Sequence, residues 1–295
     1  MKPAAFAYHA PSSVEEALDL LGELGDDAKV LAGGQSLVPM LSMRLSVFPH
    51  LIDVGNLGEL ECIRIDAERV TVGAITCDSR VERDAGVADA APLLSRVTPY
   101  IGHLAIRNRG TLGGSIAHAD PAGEYPAAAL ALGAEMVVRS AGSQRRVSAS
   151  DFFTGLWSTA MNPDELLVEV DFPRWSDRSG FAVAEHARRH GDFAIAGAVV
   201  GVTLGADERI VRAGIGLFGM ASTPLRASTA EAEVIGRTCR DCDGEQIGHL
   251  AVEGLDDVVA DMSGSPQYRR QVGAAMVARA WSEAVSEALS EASNA

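Results

Sequence analysis

Two short stretches of this chain carry residue types suited to holding a diphosphate: Ala32-Gly33-Gly34-Gln35-Ser36 and Thr111-Leu112-Gly113-Gly114-Ser115. In each, paired glycines allow backbone N–H groups to approach an anion closely, and a hydroxyl follows that can donate to a phosphate oxygen. One such loop is a weak signal, but two together can grip one diphosphate. The second lies in a denser run, Ile106-Arg107-Asn108-Arg109-Gly110-Thr111-Leu112-Gly113-Gly114-Ser115-Ile116-Ala117-His118-Ala119-Asp120-Pro121. There Thr111 and Ser115 supply hydroxyls, His118 a ring donor, and Asp120 or the nearby Glu124 can accept from sugar hydroxyls. A purely structural turn has no need of so many polar groups beside so many glycines.

Other patterns carry less. Gly214-Ile215-Gly216-Leu217-Phe218-Gly219 matches a dinucleotide fingerprint in letters only. That fingerprint needs its glycines to open a helix directly, whereas Ser222-Thr223-Pro224 follows here, so a strand or turn is expected. Cys239-Arg240-Asp241-Cys242 is a lone C-x-x-C without a second thiol pair near Cys62 or Cys77, and no metal site is expected on this chain. His186 and His190 have the spacing of one helix face but lack the glutamate of a zinc-protease motif, which leaves solvated or hydrogen-bonded histidines as the better reading.

The elements that must position the loops are legible in outline. Ser13 and Glu16 form a capping-box start to a helix bearing Val14, Ala17, Leu18, Leu21 and Leu24 on one face and ending at Gly25. Residues 29–32 read as a buried strand running into the first loop, and 50–54 as another, so the N-terminal block is a small β-α-β unit. Short strands are expected at 69–73, 135–139 and 166–170, a polar linker at 173–180, and strands again at 195–204 and 209–218. A helix follows near 228–236. The last helix runs from about 266 to 291, capped by Ser265 with Pro266 at its first position, and carries Val272, Ala275, Met276, Ala280, Ala284, Val285 and Leu289 as its packing face. The fold class is α+β.

Composition narrows the classes further. The 295 residues include 25 Lys and Arg against 40 Asp and Glu, a net charge of -15, which argues against a nucleic-acid partner; Arg107-Asn108-Arg109 is a candidate local basic patch. The four cysteines are too few and scattered for a disulfide framework, which fits a cytoplasmic protein. No uninterrupted apolar run is long enough to span a membrane, and the N-terminus lacks the continuous apolar stretch of a signal peptide.

At the two loops and their surroundings the chain resembles the FAD-binding medium subunit of the molybdenum hydroxylases, of the carbon-monoxide-dehydrogenase and xanthine-dehydrogenase type. The resemblance covers nearly the whole chain. It rests on Ala32-Gly33-Gly34-Gln35-Ser36-Leu37 with the downstream Met43-Arg44-Leu45, on the Ile106-to-Pro121 run, on Gly191-Asp192-Phe193-Ala194, and on Ser265-Pro266-Gln267-Tyr268-Arg269. It implies a two-part FAD-binding domain of the p-cresol-methylhydroxylase type over 1–57 and 58–175, followed by a smaller C-terminal α+β domain over 176–295. By position, Leu37, Ile101, Gly102, Ala117, His118, Asp120 and Glu124 would line the cofactor, with Leu167 and Phe193 near the flavin end. Gln35 stands where carbon-monoxide-oxidising members often have His, and Ser115 where Asn is frequent. Both keep hydrogen-bonding ability, so FAD binding is expected while carbon monoxide as substrate is not implied.

The resemblance implies an electron-transfer role. Molybdopterin-bound molybdenum and 2Fe-2S clusters are expected on a large and a small partner subunit, since this chain has neither the cysteine spacing nor the length for them, with a dimer of heterotrimers as the usual assembly. No general acid or base is required of an electron relay, so no catalytic residue is assigned. The alternative is a self-contained FAD-dependent oxidoreductase acting on a small substrate, for which His103 and His186 are the candidate proton-transfer groups. A nucleotide-binding scaffold without flavin chemistry is a third class.

Overall fold

The Ser13 hydroxyl accepts from the Glu16 N–H at 3.2 Å and opens the helix Val14–Leu24, which Gly25 closes at φ 51°. The glutamate's return bond goes one residue further out, to the Ser12 N–H at 2.7 Å. This helix covers a three-stranded parallel sheet of spatial order Ala7–His9, His50–Asp53, Ala28–Leu31, in which Ala7 and Ala28 both pair with His50. Its apolar face, Val14, Ala17, Leu18 and Leu21, joins Ile52 and Val54 in a core that also takes in Val137, Leu166 and Val168 from further along the chain. The computed structural model that shows this describes residues 2–294.

A five-stranded antiparallel sheet follows, in the spatial order Ile63–Ile65, Arg69–Gly73, Leu166–Pro173, Glu135–Arg139, Gln144–Ser148. Between Leu167 and Glu169 the register of its central strand slips, and the Val168 carbonyl is taken by the Ala74 N–H at 2.9 Å. Ala74 in turn accepts from Gly113 at 3.0 Å, so this bulge ties the sheet to the second glycine loop.

The third sheet is antiparallel, in the order Ser179–His186, Ala196–Leu204, Ile210–Phe218, Leu225–Arg226. Every residue of Ala196–Leu204 is buried because helices cover both faces. On one side lies Glu124–Leu132, a helix buried all round, as an apolar helix between two layers must be. On the other lies the long helix Pro266–Asn294. The G-x-G-x-x-G run is strand, as its context requires. A Cβ on Gly214 would stand 2.0 Å from the Ala131 carbonyl oxygen, and one on Gly216 2.3 Å from that of Ala127, so these glycines let a helix lie against the sheet. Gly214→Val is therefore expected to cost about 3 kcal/mol or more of stability, measured by denaturant unfolding.

Several expectations are corrected here. The buried face of the last helix is Ala274, Val277, Ala280, Trp281, Ala284 and Ala288, with Ala275 exposed and Val272, Met276, Val285 and Leu289 at its edges. Ser265 does cap it, accepting from Tyr268 at 3.2 Å. The linker is shorter than expected, because Leu166–Pro173 and Ser179–His186 are both strands and Trp175 packs on the core under the Arg212 guanidinium, 3.9 Å from its ring centroid. The two histidines are as expected hydrogen-bonded and solvated: His186 ends a strand and bonds the Tyr268 hydroxyl at 3.0 Å, while His190 lies in an exposed turn. Arg107 is no surface patch: it is buried against Glu82.

The N-terminal and C-terminal halves are latched at Arg96. Its guanidinium pairs with both oxygens of Glu287 and donates to the Phe181 carbonyl, and Glu287 accepts from the Phe181 N–H at 2.8 Å.

Candidate functional site

The first loop leaves the strand Ala28–Leu31 and turns at Gly34, whose φ of 73° is cheap only for glycine. Gln35 folds back to donate to the Gly33 carbonyl at 2.9 Å, and the helix Leu37–Met43 follows. Among the described residues, the N–H groups of Gly33, Gly34, Gln35 and Ser36 find no protein acceptor, nor does the Ser36 hydroxyl find a partner. Consecutive unclaimed N–H groups in a glycine turn form a nest for an anion.

The second loop is built differently. Thr111 pairs with Cys77 and caps the helix Leu112–His118, accepting from Gly114 at 3.1 Å. The Leu112 N–H goes to the Thr76 carbonyl at 3.1 Å and that of Gly113 to Ala74 at 3.0 Å. Its glycine N–H groups are thus spent inside the fold, and what it offers a ligand is close approach and the Ser115 hydroxyl, which has no protein partner among the described residues. Gly113 is a packing glycine, since a Cβ there would lie 2.5 Å from Ala74 backbone atoms.

The two loops touch. A Cβ on Gly33 would stand 2.0 Å from the Arg109 carbonyl oxygen and 2.9 Å from the Gly110 Cα, and one on Gly114 would lie 3.7 Å from the Ala32 Cβ. Sequence-distant glycines therefore line one cleft between the parallel sheet and the helix Leu112–His118, with Leu37 half-buried at the first helix's start and Ala117 half-buried on the second.

Along the cleft, His118 stacks on Trp157 with centroids 6.3 Å apart, and Asp120 Oδ2 lies 3.8 Å from His118 Nε2 while accepting from the Trp157 indole at 3.3 Å. Burial holds the His118 ring below the ordinary imidazole pKa, Asp120 opposing and Lys29 assisting, so the ring is neutral at physiological pH. Burial also lowers Lys29, whose ammonium lies 5.8 Å from the Phe48 ring centroid. Glu124 opens the fully buried helix. Burial pushes its carboxyl up to about 8, the negative charges of Glu185, Asp120 and Asp78 adding to the shift, so it is an O–H donor as well as an acceptor at neutral pH.

A third group lies around the turn that ends at Gly102, with φ 51°. Ile101 is half-buried there. Gly191 has no room for a side chain, its Cβ position being 2.7 Å from His103 Cε1 and 2.9 Å from the Gly102 carbonyl oxygen, so the loop carrying Phe193 rests on this turn. Phe193 itself is 77% exposed. Leu167, by contrast, is buried in the core cluster whose rim includes Ile101 and Ala117. Trp157 and Lys29 were not among the residues expected to line the site. Lys29 lies within the strand Ala28–Leu31, where its sequence marks it only as a strand residue, and Trp157 sits on an exposed hairpin with nothing in its sequence neighbours to mark it. Cys239 and Cys242 lie far along the chain as free, buried thiols, both raised by that burial.

A nest of unclaimed N–H groups packed against a capped helix that bears a free hydroxyl is suited to holding a diphosphate, the class of group a dinucleotide cofactor carries. Residues 4–175 match the family described as the FAD binding domain in molybdopterin dehydrogenase, and residues 181–284 the CO dehydrogenase flavoprotein C-terminal domain. The chain is 41% identical over 288 residues to the 6-hydroxypseudooxynicotine dehydrogenase complex subunit alpha of Paenarthrobacter nicotinovorans, covering 98% of this chain and 97% of that one. It is 38% identical to caffeine dehydrogenase subunit beta of a Pseudomonas species, with 95% of each chain covered. A chain of carbon monoxide dehydrogenase from Hydrogenophaga pseudoflava superposes with a TM-score of 0.92 at 35% identity, over 97% of this chain and 99% of that one. The chain belongs to the FAD-binding medium-subunit family of the molybdenum hydroxylases, and is an oxidoreductase flavoprotein subunit.

Proposed function

We propose that this chain is the electron-transfer subunit of a heterotrimeric molybdenum hydroxylase, carrying FAD between the 2Fe-2S centres of a small partner subunit and an external acceptor. A large molybdopterin subunit performs the hydroxylation, and the whole assembles as a dimer of heterotrimers. The observation that supports this reading is the contact between the two glycine loops, which brings the loop with four unclaimed N–H groups against the loop that bears Ser115. The relatives support it from another direction. Their names span 6-hydroxypseudooxynicotine, caffeine and carbon monoxide, so a chain of this type is kept while the substrate changes. Substrate choice then belongs to another subunit.

The residues divide the work as follows. Gly33, Gly34, Gln35 and Ser36 would bind the diphosphate through their N–H groups, and Ser36 and Ser115 through hydroxyls. His118, neutral, would hydrogen-bond without adding charge; Asp120 and protonated Glu124 would take up the sugar and ribityl hydroxyls. Ile101, Gly102 and Phe193 would bound the ring end, and Leu167 would back it from the core. Bound flavin supplies the chemistry of accepting electrons singly and releasing them as a pair. No helix among the described residues is long and apolar enough to cross a membrane, which accords with a cytoplasmic complex.

The test is an absorption spectrum of natively purified material with a denaturing gel of what accompanies it. Flavin bands with iron–sulfur absorbance and two further subunits are expected; a colourless chain that takes up no FAD overturns the proposal. For the site itself, a Cβ on Gly114 would press the Thr111 hydroxyl at 2.6 Å. Gly114→Val is expected to abolish FAD retention while the far-UV circular dichroism stays that of a folded chain. Full occupancy in this variant would refute the assignment.

A further inference from the structure

Arg107 is 9% exposed, a costly place for a guanidinium unless every donor is used. Its Nε donates to Glu82 Oε2 at 2.9 Å and its Nη2 to Glu82 Oε1 at 3.5 Å. The two N–H bonds of Nη1 are spread over three carbonyls, those of Pro99 at 3.4 Å, Ile101 at 3.3 Å and Gly102 at 3.2 Å. These carbonyls belong to the turn at the ring end of the cleft. Ile101 N–H also donates to the Thr98 carbonyl at 2.9 Å, closing the short 3-10 helix Thr98–Tyr100, and Gly102 sits in the left-handed region.

Arg107 also ends the helix Leu104–Arg107, from which the chain passes directly into the second glycine loop. The helix Asp78–Arg83 serves both ends of this arrangement. At its first residue, the Asp78 N–H holds the Gly110 carbonyl at 3.0 Å, beside the Arg109 carbonyl on which Gly33 packs. One turn later, Glu82 holds Arg107. We propose that Arg107, anchored by Glu82, is a positioning residue that fixes the Pro99–Gly102 turn relative to the diphosphate loops, so that the two ends of the cofactor are held by one rigid unit. This rests on the flavin reading given above.

The test uses the full chain with FAD and after its removal. Hydrogen exchange over 99–103 reads the turn directly, independent of any cofactor. In Arg107→Met, exchange there is expected to rise at least about tenfold with or without FAD, FAD affinity to fall about tenfold, and the visible circular dichroism of the remaining bound flavin to change, with Ala196–Leu204 exchanging as before. Glu82→Gln, a milder change, shifts the same readouts in the same direction by less. Arg107→Lys, which keeps the charge opposite Glu82 but cannot fan over three carbonyls, restores affinity only in part. An unchanged turn overturns the proposal, as does a loosened turn with wild-type affinity and flavin dichroism. If the unaltered chain binds no FAD, the flavin reading fails and this role with it, which is distinguishable because exchange in the turn still reports on the brace.

Discussion

Gly33→Ala is expected to lower FAD affinity by at least about a hundredfold, although it adds a single methyl group. The added Cβ would stand 2.0 Å from the Arg109 carbonyl oxygen and 2.8 Å from its carbon, distances at which one backbone must move. The second loop cannot yield readily. Its Gly110 carbonyl accepts from Asp78 and its Gly110 N–H donates to Ile106, while Leu112 and Gly113 are bonded to Thr76 and Ala74. The first loop must move instead, and it carries the unclaimed N–H groups. Displacing a nest by even an ångström separates its donors from the phosphate oxygens, and charge-assisted hydrogen bonds of this kind are the strong ones. Gly58→Ala in the same part of the chain has nothing within 4 Å of its Cβ and no positive φ, and serves as the control that should keep its cofactor. Titration of the FAD-stripped proteins, followed by flavin fluorescence, measures both; equal affinities would mean that the loops do not share a ligand.

The same glycine shows what the sequence could and could not convey. Residue type and order were enough to mark both loops, because close backbone approach and hydroxyls leave a trace in composition. Which glycine does which task was not legible. Gly113 packs on Ala74 and Gly33 on Arg109, neighbours set by tertiary structure alone. So too with the N–H groups of the second loop, which are consumed by carbonyls of a strand exit far away in sequence. Arg107 looked like surface charge because its partner Glu82 is remote and its carbonyl acceptors carry no side-chain signature. Among elements, Val14–Leu24 and Pro266–Asn294 announced themselves through caps. The strand Ser179–His186 did not: it is buried on both faces, so it lacks alternation, and Gly180, Ala182 and Ala184 have little strand preference. The helix Gly244–Val252 was also missed, its start at Gly244 offering no helix-forming residue after the Asp243 cap.

Asp78→Asn is expected to stabilise the protein by an amount that grows with pH. Asp78 is 2% exposed, and its Oδ1 has no hydrogen-bond partner. Burial pushes its carboxyl up to about 7, against the pull of Arg107 and with the help of Glu82. Below the ordinary carboxylate range both folded and unfolded chains hold this proton, and it has no effect on stability. As pH rises past that range the unfolded chain releases the proton and the folded chain retains it, so stability falls until the folded group itself ionises near 7. The amide cannot ionise and escapes this loss. Its advantage should therefore be about 2 kcal/mol larger at pH 8 than at pH 5, in denaturant unfolding of both proteins across that range. Taking the difference between the two proteins removes Glu185, raised by burial alone to about 7, which imposes the same trend on both; Glu124, raised to about 8, loses in the variant only the small part of its shift that the Asp78 charge supplies. It also removes His118, whose depressed pKa acts in the opposite direction. Parallel stability profiles would show that Asp78 is ionised in the folded chain at neutral pH. A wild-type chain that is weakest above neutrality would mean that the carboxyl is kept at this position despite a stability cost, beneath the loop whose Gly110 carbonyl its own N–H holds.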